Sequence, residues 1–110
     1  MAVPDRVSMA NSAEQLIYQA AVLLEEHRDS EGALSALAEA INVAGLSHRT
    51  LELIRAKTFR GELLMQLDRN AEAVPDFRDV VALAELFEGD RELVAEEAEA
   101  CRAWLERLDH

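Results

Sequence analysis

Apolar residues recur at helical spacing in five segments separated by short polar breaks. The first runs from about Ala13 to Glu26, with Leu16, Ala20, Leu23 and Leu24 on one face and Asn11 or Ser12 placed to cap it. After His27, Arg28 and Asp29, Ser30 is expected to cap a second helix, whose Ala33, Leu34, Leu37, Ala40, Ile41 and Ala44 follow an i, i+3, i+4, i+7 pattern. Gly45 is the predicted terminator of that helix. Ser47 opens the third and longest, to about Leu67, carrying Leu51, Ile54, Thr58, Gly61, Leu64 and Met65 along one side. Asp68 and Arg69 make the next break, and Asn70 caps a fourth helix through about Phe87. Pro75 lies near its start and predicts a local irregularity, not a break. Beyond Gly89 and Asp90, a fifth helix to about Leu108 carries Leu93, Val94, Cys101, Trp104, Leu105 and Leu108. Short connections force neighbouring helices to pack antiparallel. The predicted organisation is a short tail at 1–12 and one all-α domain over 13–110.

The segments repeat at an offset of 40 residues. Ala21 falls on Gly61, Leu24 on Leu64, Ser30 on Asn70, Ala33 on Ala73, Leu37 on Phe77, Ala40 on Val80, Ile41 on Val81 and Ala44 on Ala84. The offset continues into the fifth helix, setting Ile54 over Val94, Gly61 over Cys101, Leu64 over Trp104 and Met65 over Leu105. Small residues replace small and large replace large, as expected where paired helices cross closely and a bulky side chain fills the gap beside the crossing.

The spacing of Gly61, Leu64, Ala73, Phe77 and Val80, matched by Ala21, Leu24, Ala33, Leu37 and Ala40, resembles the tetratricopeptide repeat (TPR), here in long-helix units of about 40 residues. That resemblance implies a right-handed helical solenoid of five antiparallel helices, two and a half repeats with the last helix capping. Ile17 and Lys57 stand where the family has an aromatic residue, Ala20 and Arg60 where it has Leu, and the terminal Pro is missing. The usual unit is about 34 residues. The extra residues fall around Leu46 to Thr50.

Composition agrees with helix: 19 Ala and 16 Leu outweigh 13 β-branched residues, and 4 Gly and 2 Pro leave little material for hairpin turns. Half the residues are hydrophobic, enough for a core. The formal charge of −11 disfavours phosphate backbones and anionic membrane surfaces, so neither nucleic acid nor membrane is an expected partner. Cys101 has no partner for an intramolecular disulfide, and no signal-like apolar run precedes Asn11, which together predict a cytoplasmic protein.

Catalytic equipment is not legible. His27, His48 and His110 have no metal-ligand spacing, the glycines form no phosphate loop, and no cofactor is expected. Cys101 lies on an apolar face, where a buried structural thiol is expected over a nucleophile. Adjacent acids such as Glu25 with Glu26 and Glu96 with Glu97 point to different sides of a helix and read as solvated surface. The chain is therefore not expected to be an enzyme.

The resemblance implies a groove lined by the first helix of each pair. By register it selects Gln15, Tyr18, Val22 and Glu25 in the first unit, Arg55, Thr58, Glu62 and Met65 in the second, and Ala98, Arg102 and Leu105 in the last helix. Tyr18, Val22 and Phe59 occupy positions where some TPR proteins hold a terminal carboxylate, which argues against that mode. Three such helices span roughly 20 Å, room for about six residues of extended peptide. Trp104 is expected in the core, and Glu92, Glu96, Glu99 and Glu106 on a solvated outer face. The expected function is a small TPR adaptor or scaffold holding a protein or peptide, basic where it meets the acidic fifth helix. The alternative is a self-associating structural subunit or assembly chaperone, a homo-oligomer.

Overall fold

The computed structural model describes residues 12–108. They form five α-helices and no strand: α1 (Ala13–His27), α2 (Ser30–Leu46), α3 (Thr50–Gln66), α4 (Asn70–Leu86) and α5 (Glu92–Leu108). The all-α expectation holds, and α2 and α4 occupy the same span 40 residues apart. Asn11, one of the two predicted first caps, and His110 lie outside the described residues. Ser12 does cap α1, its hydroxyl accepting the Gln15 backbone N–H. The chain divides between Leu53 and Ile54 into two compact units.

In the first unit α1 and α2 pack together across a two-residue link, Arg28 and Asp29. The buried residues are Ala13, Leu16 and Ala20 on one helix and Ala33, Ala36, Leu37, Ala40 and Ala44 on the other. Alanine at most of these positions lets the backbones approach closely, with Leu37 filling the space between.

In the second unit α4 packs against both α3 and α5. Gly61 of α3 lies against the ring of Phe77 on α4, the Lys57 ammonium pairs with Asp79, and Arg60 makes two bonds to the Asp76 carboxylate at 2.8 and 2.7 Å. The α4 partner moves back from Asp79 opposite Lys57 to Asp76 and Phe77 opposite Arg60 and Gly61, so these helices run antiparallel. Between α3 and α5, Thr58 lies against Cys101 and Glu62 against Trp104, a parallel register. The buried positions of α4 are Ala73, Asp76, Phe77, Val80 and Ala84, each 40 residues after a buried position of α2. The repeat read in the sequence is therefore a repeat of burial, including one pair the hydrophobic pattern does not show, Ala36 and Asp76.

The helix ends differ from expectation in a consistent way. Gly45 does not terminate α2: it lies inside the helix, and His48 takes the left-handed conformation at φ 56°. Arg28 (φ 54°) and Asp68 (φ 64°) do the same after α1 and α3. In each case the next amide closes back on the helix, Asp29 on the Leu23 carbonyl, Arg49 on Ala44 and Arg69 on Leu64. These bonds satisfy terminal carbonyls and offset the steric cost of a non-glycine residue there.

The residues preceding α2 and α4 lie one position before the predicted caps, whereas α3 starts later than predicted. Asp29, not Ser30, caps α2, its carboxylate accepting the Gly32 N–H at 2.9 Å. Arg69, not Asn70, precedes α4 and makes no side-chain cap; its guanidinium instead holds both Glu72 oxygens at 2.8 Å. That pairing keeps the Glu72 carboxyl below its ordinary range. Ser47 follows α2 and does not open α3, which begins at Thr50 and at 17 residues is no longer than α2, α4 or α5. Pro75 leaves α4 unbroken; the carbonyl it fails to reach belongs to exposed Ala71. Leu93, predicted on the apolar face of α5, is 47% exposed.

Candidate interaction surface

In the first unit, Gln15, Tyr18, Val22 and Glu25 advance by three and four residues and so form one stripe along α1. Tyr18 is 72% exposed, Gln15 and Glu25 are exposed and Val22 is half-buried. A separate cleft of about 430 Å³ in this unit is lined by Ser12, Ala13, Glu14, Val43, Ser47, Arg49 and Glu52. Arg49 pairs with Glu52 at 2.6 Å, and Glu52 first and Glu14 more weakly strengthen its hold on its proton. The cleft thus holds two carboxylates, Glu14 and Glu52, and one guanidinium, Arg49.

In the second unit the predicted positions separate. Arg55 is exposed. Thr58 is buried, so it belongs to the core and not to an open groove: its hydroxyl donates to the Ile54 carbonyl at 2.8 Å and lies 3.7 Å from the Cys101 sulfur. A hydroxyl satisfied within its own helix can be covered at little cost. Ala98, read by register as groove-facing, is likewise buried, while Leu105 is half-buried. Arg102 is exposed beside a hollow of about 170 Å³ formed with α4 residues including Ala84 and Glu85.

Glu62 and Met65 are brought together. With Gln66 and Trp104 they line a cleft of about 320 Å³ between α3 and α5. The Trp104 indole N–H donates to a Glu62 carboxylate oxygen at 3.2 Å, and the Arg107 guanidinium lies 5.1 Å from the ring centroid. Arg102 and Trp104 are about 200° apart around the helix, which is why they border different hollows.

No protein-family profile, curated protein or solved structure matches the chain. Its surfaces must therefore be judged on their own chemistry.

Trp104 is the residue that sequence reasoning placed elsewhere. Register puts it over Leu64, which is 5% exposed, yet the indole is half-buried. The signal was its N–H, which needs a partner when buried. Once Thr58 faces Cys101, one further turn of parallel helices brings Glu62 to the indole.

Cys101 is buried, and burial pushes its thiol up to about 11, with the Thr58 contact opposing and Glu62, Glu97 and Asp76 reinforcing the shift. At neutral pH it is a thiol, not an attacking thiolate. Modification by a disulfide reagent at pH 8 is accordingly expected to proceed only as fast as the protein opens, with one rapid equivalent appearing in denaturant. Immediate stoichiometric reaction with the folded chain would contradict this. Because the folded value lies above the unfolded one, stability from this group is present below about pH 9 and is lost as pH rises toward 11. Comparing the alkaline stability of wild type with Cys101→Ala isolates that loss.

Among the described residues, no cluster of three or more His, Cys, Asp or Glu is placed to hold a metal ion, and no helix is long and apolar enough to cross a membrane.

Proposed function

We propose that the chain is a non-catalytic protein-interaction module of the tetratricopeptide type, an adaptor or scaffold that holds a segment of another protein. The observation carrying this reading is the α3–α5 cleft, where an aromatic ring, a thioether and a carboxylate face an open space of about 320 Å³. Amphipathic rings with one satisfied polar edge are the groups that anchor partner segments. The α1 stripe with Tyr18 72% exposed offers a second contact of the same kind. The unpaired cysteine supports a reducing, cytoplasmic setting.

A second reading is self-association into a structural or assembly-factor subunit. It is favoured by Leu46 and Leu86, which stand 40 residues apart at the ends of α2 and α4 and are 75% and 76% exposed. Light scattering across a concentration series separates the two, since a monomer at every concentration removes self-assembly. For the adaptor reading, co-purification from the native host is compared between wild type and a Tyr18→Ala, Arg55→Glu double variant. Loss of a bound protein in the variant is the expected result. Retention of every partner would reject these positions as the binding surface.

A further inference from the structure

We infer that the cleft formed by Glu62, Met65, Gln66 and Trp104 receives a cationic side chain, Arg or Lys, projecting from a partner segment. This rests on the interaction-module reading and adds the chemistry of the partner. About 320 Å³ lies at the low end of ligand pockets, room for one or two side chains and not for a large cofactor. Met65 and the Trp104 ring supply apolar walls that suit the methylene stem of a long cation. The indole N–H already donates to Glu62, so what Trp104 offers a guest cation is the electron-rich ring surface that Arg107, 5.1 Å from the centroid, leaves uncovered. Glu62 is the charged group in the lining, and it can accept a charge-assisted hydrogen bond.

A second carboxylate lies on this side of α5, alongside the Arg107 guanidinium that borders the ring. Glu97 lies two turns before Trp104 on the same side of α5. Glu62, Glu97 and Asp76 also add to the upward shift of the Cys101 thiol, one turn before the indole. Arg107, 5.1 Å from the ring centroid, shows that the indole of this chain accommodates a guanidinium. An anionic guest would instead meet Glu62 directly, within a chain whose formal charge is −11.

Trp104 is the one tryptophan of the chain, so its fluorescence reports on the cleft. The full chain is titrated with the capped peptide Ala-Leu-Arg-Leu-Ala and with versions carrying norleucine or glutamate in place of arginine. A saturable spectral change is expected with the arginine peptide, about tenfold weaker binding of the norleucine peptide, and no binding of the glutamate peptide. Glu62→Gln keeps an acceptor for the indole N–H, so the fold persists by circular dichroism while arginine-peptide affinity falls about tenfold. Glu97→Gln gives a smaller loss that shrinks as salt is raised. Equal binding of the arginine and norleucine peptides, unchanged affinity in Glu62→Gln, or no spectral change with any peptide at millimolar concentration overturns the inference. If it is overturned while the Tyr18→Ala, Arg55→Glu variant still loses its co-purifying protein, the interaction module stands without this partner chemistry.

Discussion

Arg60→Ala should destabilise the chain by about 3–5 kcal/mol, and by more than Asp76→Ala, although the two residues form one ion pair. The asymmetry follows from burial. The Asp76 side chain is 4% exposed and the Arg60 side chain 28%. Removing Arg60 strips both bonds, at 2.8 and 2.7 Å, from a carboxylate that cannot turn to water. Removing Asp76 leaves a guanidinium that reaches solvent and still feels Asp79. The hydrogen bond to Asp76 is also the main reason that Arg60 holds its proton more tightly than usual. The repeat supplies the control, because the positions 40 residues earlier are Ala20 and Ala36, both buried. An Arg60→Ala, Asp76→Ala double variant brings the second unit to that composition and should be more stable than Arg60→Ala alone. Urea unfolding of the four proteins decides it. Equal losses in the two single variants that simply add in the double one would show no coupling between these side chains.

This pair marks a limit of reading the fold from apolar spacing. The core of α2 and most of α4 were legible because Ala33, Leu37, Ala40 and Ala44 and their counterparts are hydrophobic at helical intervals, and all are buried. Asp76 sits on that same face, but a charged residue carries no hydrophobic signal, and only its neutralisation by Arg60 allows it to be covered. Termini were less legible for a different reason. The expected stop signal was glycine, whereas the left-handed residues are Arg28, His48 and Asp68, spaced by 20. Backbone closure satisfies terminal carbonyls at those positions, and two of the three residues, His48 and Asp68, are of types that tolerate this conformation better than most.

Legibility of the candidate surface divides along the same line. Glu62 and Met65 follow from register along α3, and the cleft contains them. Thr58 shares that register but is buried, since α5 comes close enough to place Cys101 3.7 Å from its hydroxyl. One-helix periodicity cannot reveal which part of a stripe a neighbouring helix covers. Trp104 enters the cleft for the converse reason: its large ring exceeds the space that Leu64 fills at the equivalent place, and its N–H seeks Glu62.

The approach of α4 to α3 at Gly61 gives the second large effect. Gly61→Ala should cost about 1–3 kcal/mol in overpacking, only partly offset by the ~1 kcal/mol that alanine gains over glycine within a helix. A Cβ at position 61 would lie 2.5 Å from Cε1 of Phe77 and 2.9 Å from its Cδ1 and Cζ. Phe77 is fully buried, so its ring has no solvent-facing position into which to retreat. In the first unit the residues 40 positions earlier are the half-buried Ala21 and the buried Leu37, so there an extra carbon on one helix goes with a smaller side chain on the other. Phe77→Leu alone should also destabilise, by removing ring volume from a packed core. Combining it with Gly61→Ala transfers the first unit's pairing to the second, so the double variant should be more stable than either single variant, with a favourable coupling of about 1 kcal/mol or more. Thermal and urea midpoints measure the cycle. If the double variant is the least stable of the set, then the two halves of the repeat do not share interchangeable helix crossings.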